Sequence, residues 1–129
     1  MTPACTLDSW AVLHLLQGGA NASIVEESLE TAFMSWINVG EVSYIVRRRH
    51  GDKEAEAVVG DLRRTLSRRL LLPDESLVLA AAQIKAGWPL AYADAFAAAT
   101  AMATNTTLLT GDPELLVPDR TWRALDLRN

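Results

Sequence analysis

The stretch that most constrains this chain is Leu90-Ala-Tyr-Ala-Asp-Ala-Phe-Ala-Ala-Ala-Thr, the front of a helix predicted from Leu90 to Thr104. A helix that is apolar nearly all round has no face to give to water and is buried. Its alanines let the backbone come close to a sheet. The one charge in it, Asp94, has no Lys or Arg within one helical turn. An unpaired carboxylate in such a place costs several kcal/mol, roughly, unless something compensates it. A bound cation is one compensation; a neutral or hydrogen-bonded core acid is the plainer alternative.

The rest of the chain supplies the sheet. Residues 3–7 form an apolar run too short for a helix and read as a strand. Asp8-Ser9 offers capping oxygens to a helix from Trp10 to Gln17, stopped by Gly18-Gly19. A second helix spans Ala22 to Thr31, capped by Asn21 or Ser23. Ala32 to Val39 reads as a second strand broken by Gly40, and Glu41 to Arg49 as a helix before the turn His50-Gly51-Asp52. Helix Lys53 to Ser67, a short strand Arg69 to Leu72, helix Glu75 to Ala86, the Leu90 helix and strand Thr107 to Thr110 follow. The turn Gly111-Asp112-Pro113 comes next, and Thr121 to Leu127 reads as a last edge strand. Strands alternating with helices imply a three-layer α/β/α sandwich around a mainly parallel sheet.

At 129 residues, half of them hydrophobic, the chain suits a single domain over residues 1–129. There is no repeat of solenoid length. No apolar run approaches the ~20 residues of a membrane helix, and no basic region precedes an apolar start. A cytoplasmic protein without a membrane partner is the expectation. Cys5 is the only cysteine and reads as a small buried hydrophobe. The net charge of −4 hides an asymmetry: residues 47–69 carry eight basic residues against four acids, while residues 1–46 carry none against five. Overall acidity does not advertise a nucleic-acid binder, yet Arg47 to Arg69 can form a local basic face. The competing reading is a solvated helix surface tempered by pairs such as Asp61 with Arg64.

Three further acids stand in comparable places. Asp8 closes the first strand, Glu41 opens the helix after the second, and Asp112 follows the strand Thr107 to Thr110. In an open parallel sheet, ligands collect beyond the carboxyl ends of the strands, where the strand order reverses. The acids are thus aimed at one edge. Each also has a local reading: Asp8 as a helix cap, Glu41 as a first-turn acid, Asp112 as a turn residue. Four converging oxygen ligands suit Mg²⁺ or Mn²⁺ rather than zinc.

The order Leu7-Asp8-Ser9, Asn38-Val-Gly-Glu41, Ala93-Asp94-Ala95-Phe96 and Leu109-Thr110-Gly111-Asp112-Pro113-Glu114 resembles a PIN domain, and among PIN domains the VapC-type toxins of bacterial toxin–antitoxin pairs. The resemblance runs from first strand to last. It implies a ribonuclease with a Mg²⁺ or Mn²⁺ site in which Asp8, Glu41, Asp94 and Asp112 occupy the acidic positions. Glu114 is implied as an outer acid and Thr110 as a hydroxyl that orients water. It also implies a homodimer and a protein antitoxin that blocks the site. Many relatives carry Ser or Asn where this chain has Trp10, which leaves Ser9 to supply the hydroxyl there.

Other classes fit less well. Neither a Walker pattern nor G-x-G-x-x-G occurs. His14 lies among leucines and His50 in a turn; Trp10, Trp36 and Tyr92 fall at core spacing. A phosphatase or phosphoaccepting α/β domain also places an acid after its first strand, but wants a second acid beside it and a late lysine. Asp8 has no neighbouring acid and no lysine follows Lys85. A catalytically silent PIN interaction module would show a degraded acid cluster.

Overall fold

A computed structural model describes residues 3–128. Five strands form one sheet: β1 Cys5–Leu7, β2 Ala32–Ser35, β3 Leu70–Leu71, β4 Thr107–Thr110 and β5 Ala124–Asp126, in the spatial order β3-β2-β1-β4-β5. Every pairing is parallel, with Thr6 beside Phe33 on one side and Leu108 on the other. The chain winds outward from β1 through β2 to β3, then returns to the far side of β1 for β4 and β5. The order therefore reverses between β1 and β4, which creates the crevice where such sheets bind ligands.

Six helices cover the sheet: α1 Ser9–Gln17, α2 Ala22–Ser28, α3 Trp36–His50, α4 Asp52–Leu66, α5 Glu75–Gly87 and α6 Tyr92–Thr104. Successive strand residues face opposite sides, and two cores result. Cys5, Leu7, Met34 and Leu109 meet Val12, Val25, Val42 and Leu66 from α1 to α4. Leu108 meets Leu77, Ile84 and the alanines of α6 on the other side. Together these make the expected three layers. Ala95, Ala97 and Ala98 in α6 are wholly inaccessible, as the all-round apolar pattern requires. Small side chains let a helix axis approach its neighbours closely, which brings the first turn of α6 to the sheet edge. α1 stops where Gly18 turns left-handed at φ 66°, a conformation that costs glycine little.

Three expectations change. Trp36 to Val39 is helical rather than extended: the Ser35 hydroxyl accepts the Ile37 N–H at 3.1 Å and starts α3 at Trp36. Gly40 consequently lies inside α3 instead of breaking the chain, and Glu41 sits in the second turn rather than opening the helix. α2 ends at Ser28, and Asn21 does not cap it; its amide donates to the Leu127 carbonyl at 3.0 Å. Tyr92 is exposed rather than core, while Trp10 and Trp36 are partly buried and pack against the core.

Candidate metal centre

Asp8 follows β1 directly and performs two tasks with one carboxylate. Oδ1 caps α1 by accepting the Ala11 N–H at 2.8 Å, and Oδ2 accepts from the Thr110 hydroxyl at the end of β4. The side chain is 1% exposed. Thr110 Oγ1 in turn accepts the Asp112 N–H at 3.0 Å, so one hydroxyl links the ends of β1 and β4 across the switch point. The Asp112 side chain accepts the Glu114 N–H at 3.0 Å and starts the 3₁₀ turn Pro113–Leu115.

Glu41 reaches the same edge from α3. Its Oε1 accepts from Ser9 Oγ at 2.8 Å and from Asn38 Nδ2 at 3.1 Å. Asn38 is wholly buried and also donates to the Ala93 carbonyl, at 3.0 Å, immediately before Asp94. Asp94 sits in the first turn of α6, 7% exposed. Carboxylate oxygens of Asp94, Asp112 and Glu114 lie within 4.8 Å of one another.

These acids feel each other. Burial pushes the Asp8 carboxyl up to about 7, against the bonds from Thr110 and Ala11, and the charges of Asp112 and Glu41 push the same way. Asp94 is raised to about 8, by burial first, then by a hydrogen bond shared with Asp112 and by the charges of Asp112, Glu41 and Asp8. The structure thus brings Asp8, Glu41, Asp94 and Asp112 to one edge of the sheet and places the exposed Glu114 within reach of Asp94 and Asp112. Among the described residues, none of the three ion pairs involves these acids. The donor set is all oxygen and acidic, with only the charge of Arg128 felt from nearby, at Asp112, which fits a hard divalent ion. Asn38 Oδ1, buried and without a hydrogen-bond partner, adds a neutral acceptor beside Glu41.

The model of the PIN domain matches residues 5–120. The chain belongs to the PIN-domain family. Solved structures agree on the fold. The DNA-bound VapBC complex of Salmonella typhimurium has a chain that matches with a TM-score of 0.76 at 18% identity, covering 99% of this chain and 100% of that one. VapBC-1 of nontypeable Haemophilus influenzae matches at 0.72 and 19% identity, covering 96% and 98%. FitAcB of Neisseria gonorrhoeae matches at 0.72 and 23%, covering 95% and 96%. No curated protein matches the chain in sequence. Among the described residues, no helix of this PIN domain is long and apolar enough to cross a membrane.

Two residues of this edge do more than their sequence context suggests. Asn38 stands in the Asn38-Val-Gly-Glu41 stretch, but an extended reading of Trp36 to Val39 gives it no role; as Asn-x-x-Glu on a helix, it shares a face with Glu41. Gly111 looked like an ordinary turn glycine, but a β-carbon there would lie 2.2 Å from the Trp10 ring.

Proposed function

We propose that this PIN domain is a metal-dependent ribonuclease of the VapC type, the toxin of a toxin–antitoxin pair acting in the cytoplasm. Asp8, Glu41, Asp94 and Asp112 are its metal-binding and catalytic carboxylates, and Glu114 is a further ligand. The observation that carries the reading is the acidic cluster at the β1–β4 switch point, none of whose carboxylates is held in an ion pair among the described residues. Mg²⁺ or Mn²⁺ bound there supplies a polarised phosphate oxygen, an acidified water and neutralisation of charge in an in-line attack. The residues do the rest. Asp94, Asp112 and Glu114 present oxygens close enough for one ion. Thr110 donates its proton to Asp8 and accepts from Asp112, so it holds two acidic residues in place rather than orienting water. Each Asp8 oxygen keeps a second lone pair for the site.

The phosphoacceptor alternative is poorly served by the sequence: that class wants an acid beside Asp8 and a lysine late in the chain, and no lysine follows Lys85. Structures resembling this fold include complexes described as VapBC and, from Klebsiella pneumoniae, as a toxin–antitoxin complex. They support a cognate antitoxin as a partner; a second copy of this chain is proposed from the family resemblance alone. The deciding experiment is RNA cleavage by purified, antitoxin-free protein. Cleavage with Mg²⁺ or Mn²⁺, arrest in EDTA and recovery on adding Mn²⁺ are expected. Undiminished cleavage in EDTA overturns the metal mechanism.

A further inference from the structure

Asn38 is a neutral side chain that ties two of the acidic positions together, and we infer that it is a positioning residue for the ion: anchored on the start of α6 beside Asp94, it aims Glu41. This rests on the metal reading of the site above. Asn38 lies in the first turn of α3, wholly buried, one helical turn before Glu41. Its amide nitrogen uses both protons, on Glu41 Oε1 at 3.1 Å and on the Ala93 carbonyl at 3.0 Å. Both partners are acceptors. Turning the amide over would set Oδ1 against two oxygens, so the assignment of N and O is decided by chemistry.

Two consequences follow. Ser9 and Asn38 both donate to Oε1 of Glu41, so the other carboxylate oxygen is the one left for the ion. The second consequence is that losing Asn38 leaves Glu41 Oε1 with Ser9 alone and takes a donor from the Ala93 carbonyl, so the carboxylate is held less firmly at the site. Side chains that orient metal ligands in this manner typically change metal affinity about 10–100-fold when removed.

The test measures Mn²⁺ itself. Binding of Mn²⁺ to wild type, Asn38→Leu and Asn38→Ser is followed by the loss of the free-ion electron paramagnetic resonance signal, each alone and combined with Glu41→Gln. The serine variant guards against misfolding of the leucine one, and circular dichroism in EDTA identifies which is folded. Expected are a Kd at least tenfold weaker for the Asn38 variants and a clearly smaller effect in the Glu41→Gln background, because Asn38 acts through Glu41. An unchanged Kd overturns the inference, as does an equal loss with and without Glu41. Wild type that binds no Mn²⁺ at all would instead sink the metal reading of the site. Tight Mn²⁺ binding without RNA cleavage would sink the ribonuclease reading and leave Asn38 in its role.

Discussion

The indole of Trp10 lies against Gly111, in the space that any larger residue between Thr110 and Asp112 would need. A β-carbon at position 111 would come within 2.2 Å of the ring. The ring cannot simply swing aside, because it stacks on His14 with centroids 4.4 Å apart. His14 in turn fills the space beside Gly19, where a β-carbon would stand 2.1 Å from the imidazole. Gly111→Ala is therefore expected to destabilise the fold by about 1–3 kcal/mol, the usual cost of overpacking. The penalty should shrink when Trp10→Ala is added, with a coupling of about 1 kcal/mol or more. Urea unfolding of the two single variants and the double variant checks this; simple additivity would show that the ring and the turn are independent.

Thr110 is expected to matter for both acids it touches. Thr110→Val keeps the shape but takes the donor from Asp8 Oδ2 and the acceptor from the Asp112 N–H. Leaving buried groups unpaired costs about 1–3 kcal/mol. Losing a bond that favours the ionised form moves the Asp8 carboxyl further up from about 7. Thr110→Ser should recover most of both effects. Urea unfolding and a carbon-13 titration of the Asp8 carboxyl measure them, and a valine variant as stable as wild type would show that Thr110 does not hold the two strand ends together.

The basic segment divides into structural and free arginines. Arg69 donates to the backbone carbonyls of Ala32, Leu29 and Thr65, and so stitches the end of α4 to the start of β2. Arg47 pairs with Asp52 and Arg64 with Asp61. Arg63 lies over the Trp36 ring at 5.5 Å, at the same end of α3 as Asn38. Arg69→Ala should lower stability and leave the salt dependence of RNA binding alone. Replacing Arg48, Arg49, Arg63 and Arg68 together should flatten that dependence. The log–log slope should fall by about 0.7 for each single-strand phosphate that these arginines no longer neutralise. Binding titrations in EDTA across a salt series decide it; an unchanged slope returns these residues to a solvated face.

The fold was legible wherever a segment's period had one solution. The alanine run around Asp94 had to be buried, and α6 is. Short apolar runs ending in an acid placed Asp8 and Asp112 after strands. The failure came at Phe33-Met-Ser-Trp-Ile-Asn-Val, where β-formers crowd together and mask a change of period. Buried positions Asn38, Val39, Val42 and Val46 already follow helical spacing, and Ser35 is a legitimate cap. Reading Gly40 as a break hid both signals. Glu114 was visible only as an outer acid because the 3₁₀ turn that folds it back toward Asp94 is set by the Asp112 side chain, a tertiary detail without periodicity.

Asp94 and Asp8 give the metal-free fold a definite response to pH. Their carboxyls are raised from 3.8 to about 8 and about 7. Between the ordinary value and these, the folded chain holds protons that the unfolded chain has released. Stability then falls as pH rises through that window, because the native state binds the larger number of protons. On the proposed metal reading a divalent ion would reverse the trend: it would replace the protons, bind better as pH rises, and add RT ln(1 + [L]/Kd) to stability. Asp94→Asn removes one charge and one ligand while keeping the shape. We expect its melting temperature in EDTA at pH 8 to equal or exceed that of wild type, its decline from pH 5 to pH 8 to be shallower, and its gain from Mg²⁺ to be smaller. RNA cleavage should be lost at a temperature where both proteins are folded. A purely structural acid would behave otherwise: the substitution would lower the melting temperature with or without the ion, and activity would fall only in step with folding. Melting curves of both proteins in EDTA and in Mg²⁺ at the two pH values, beside the cleavage assay, separate these outcomes.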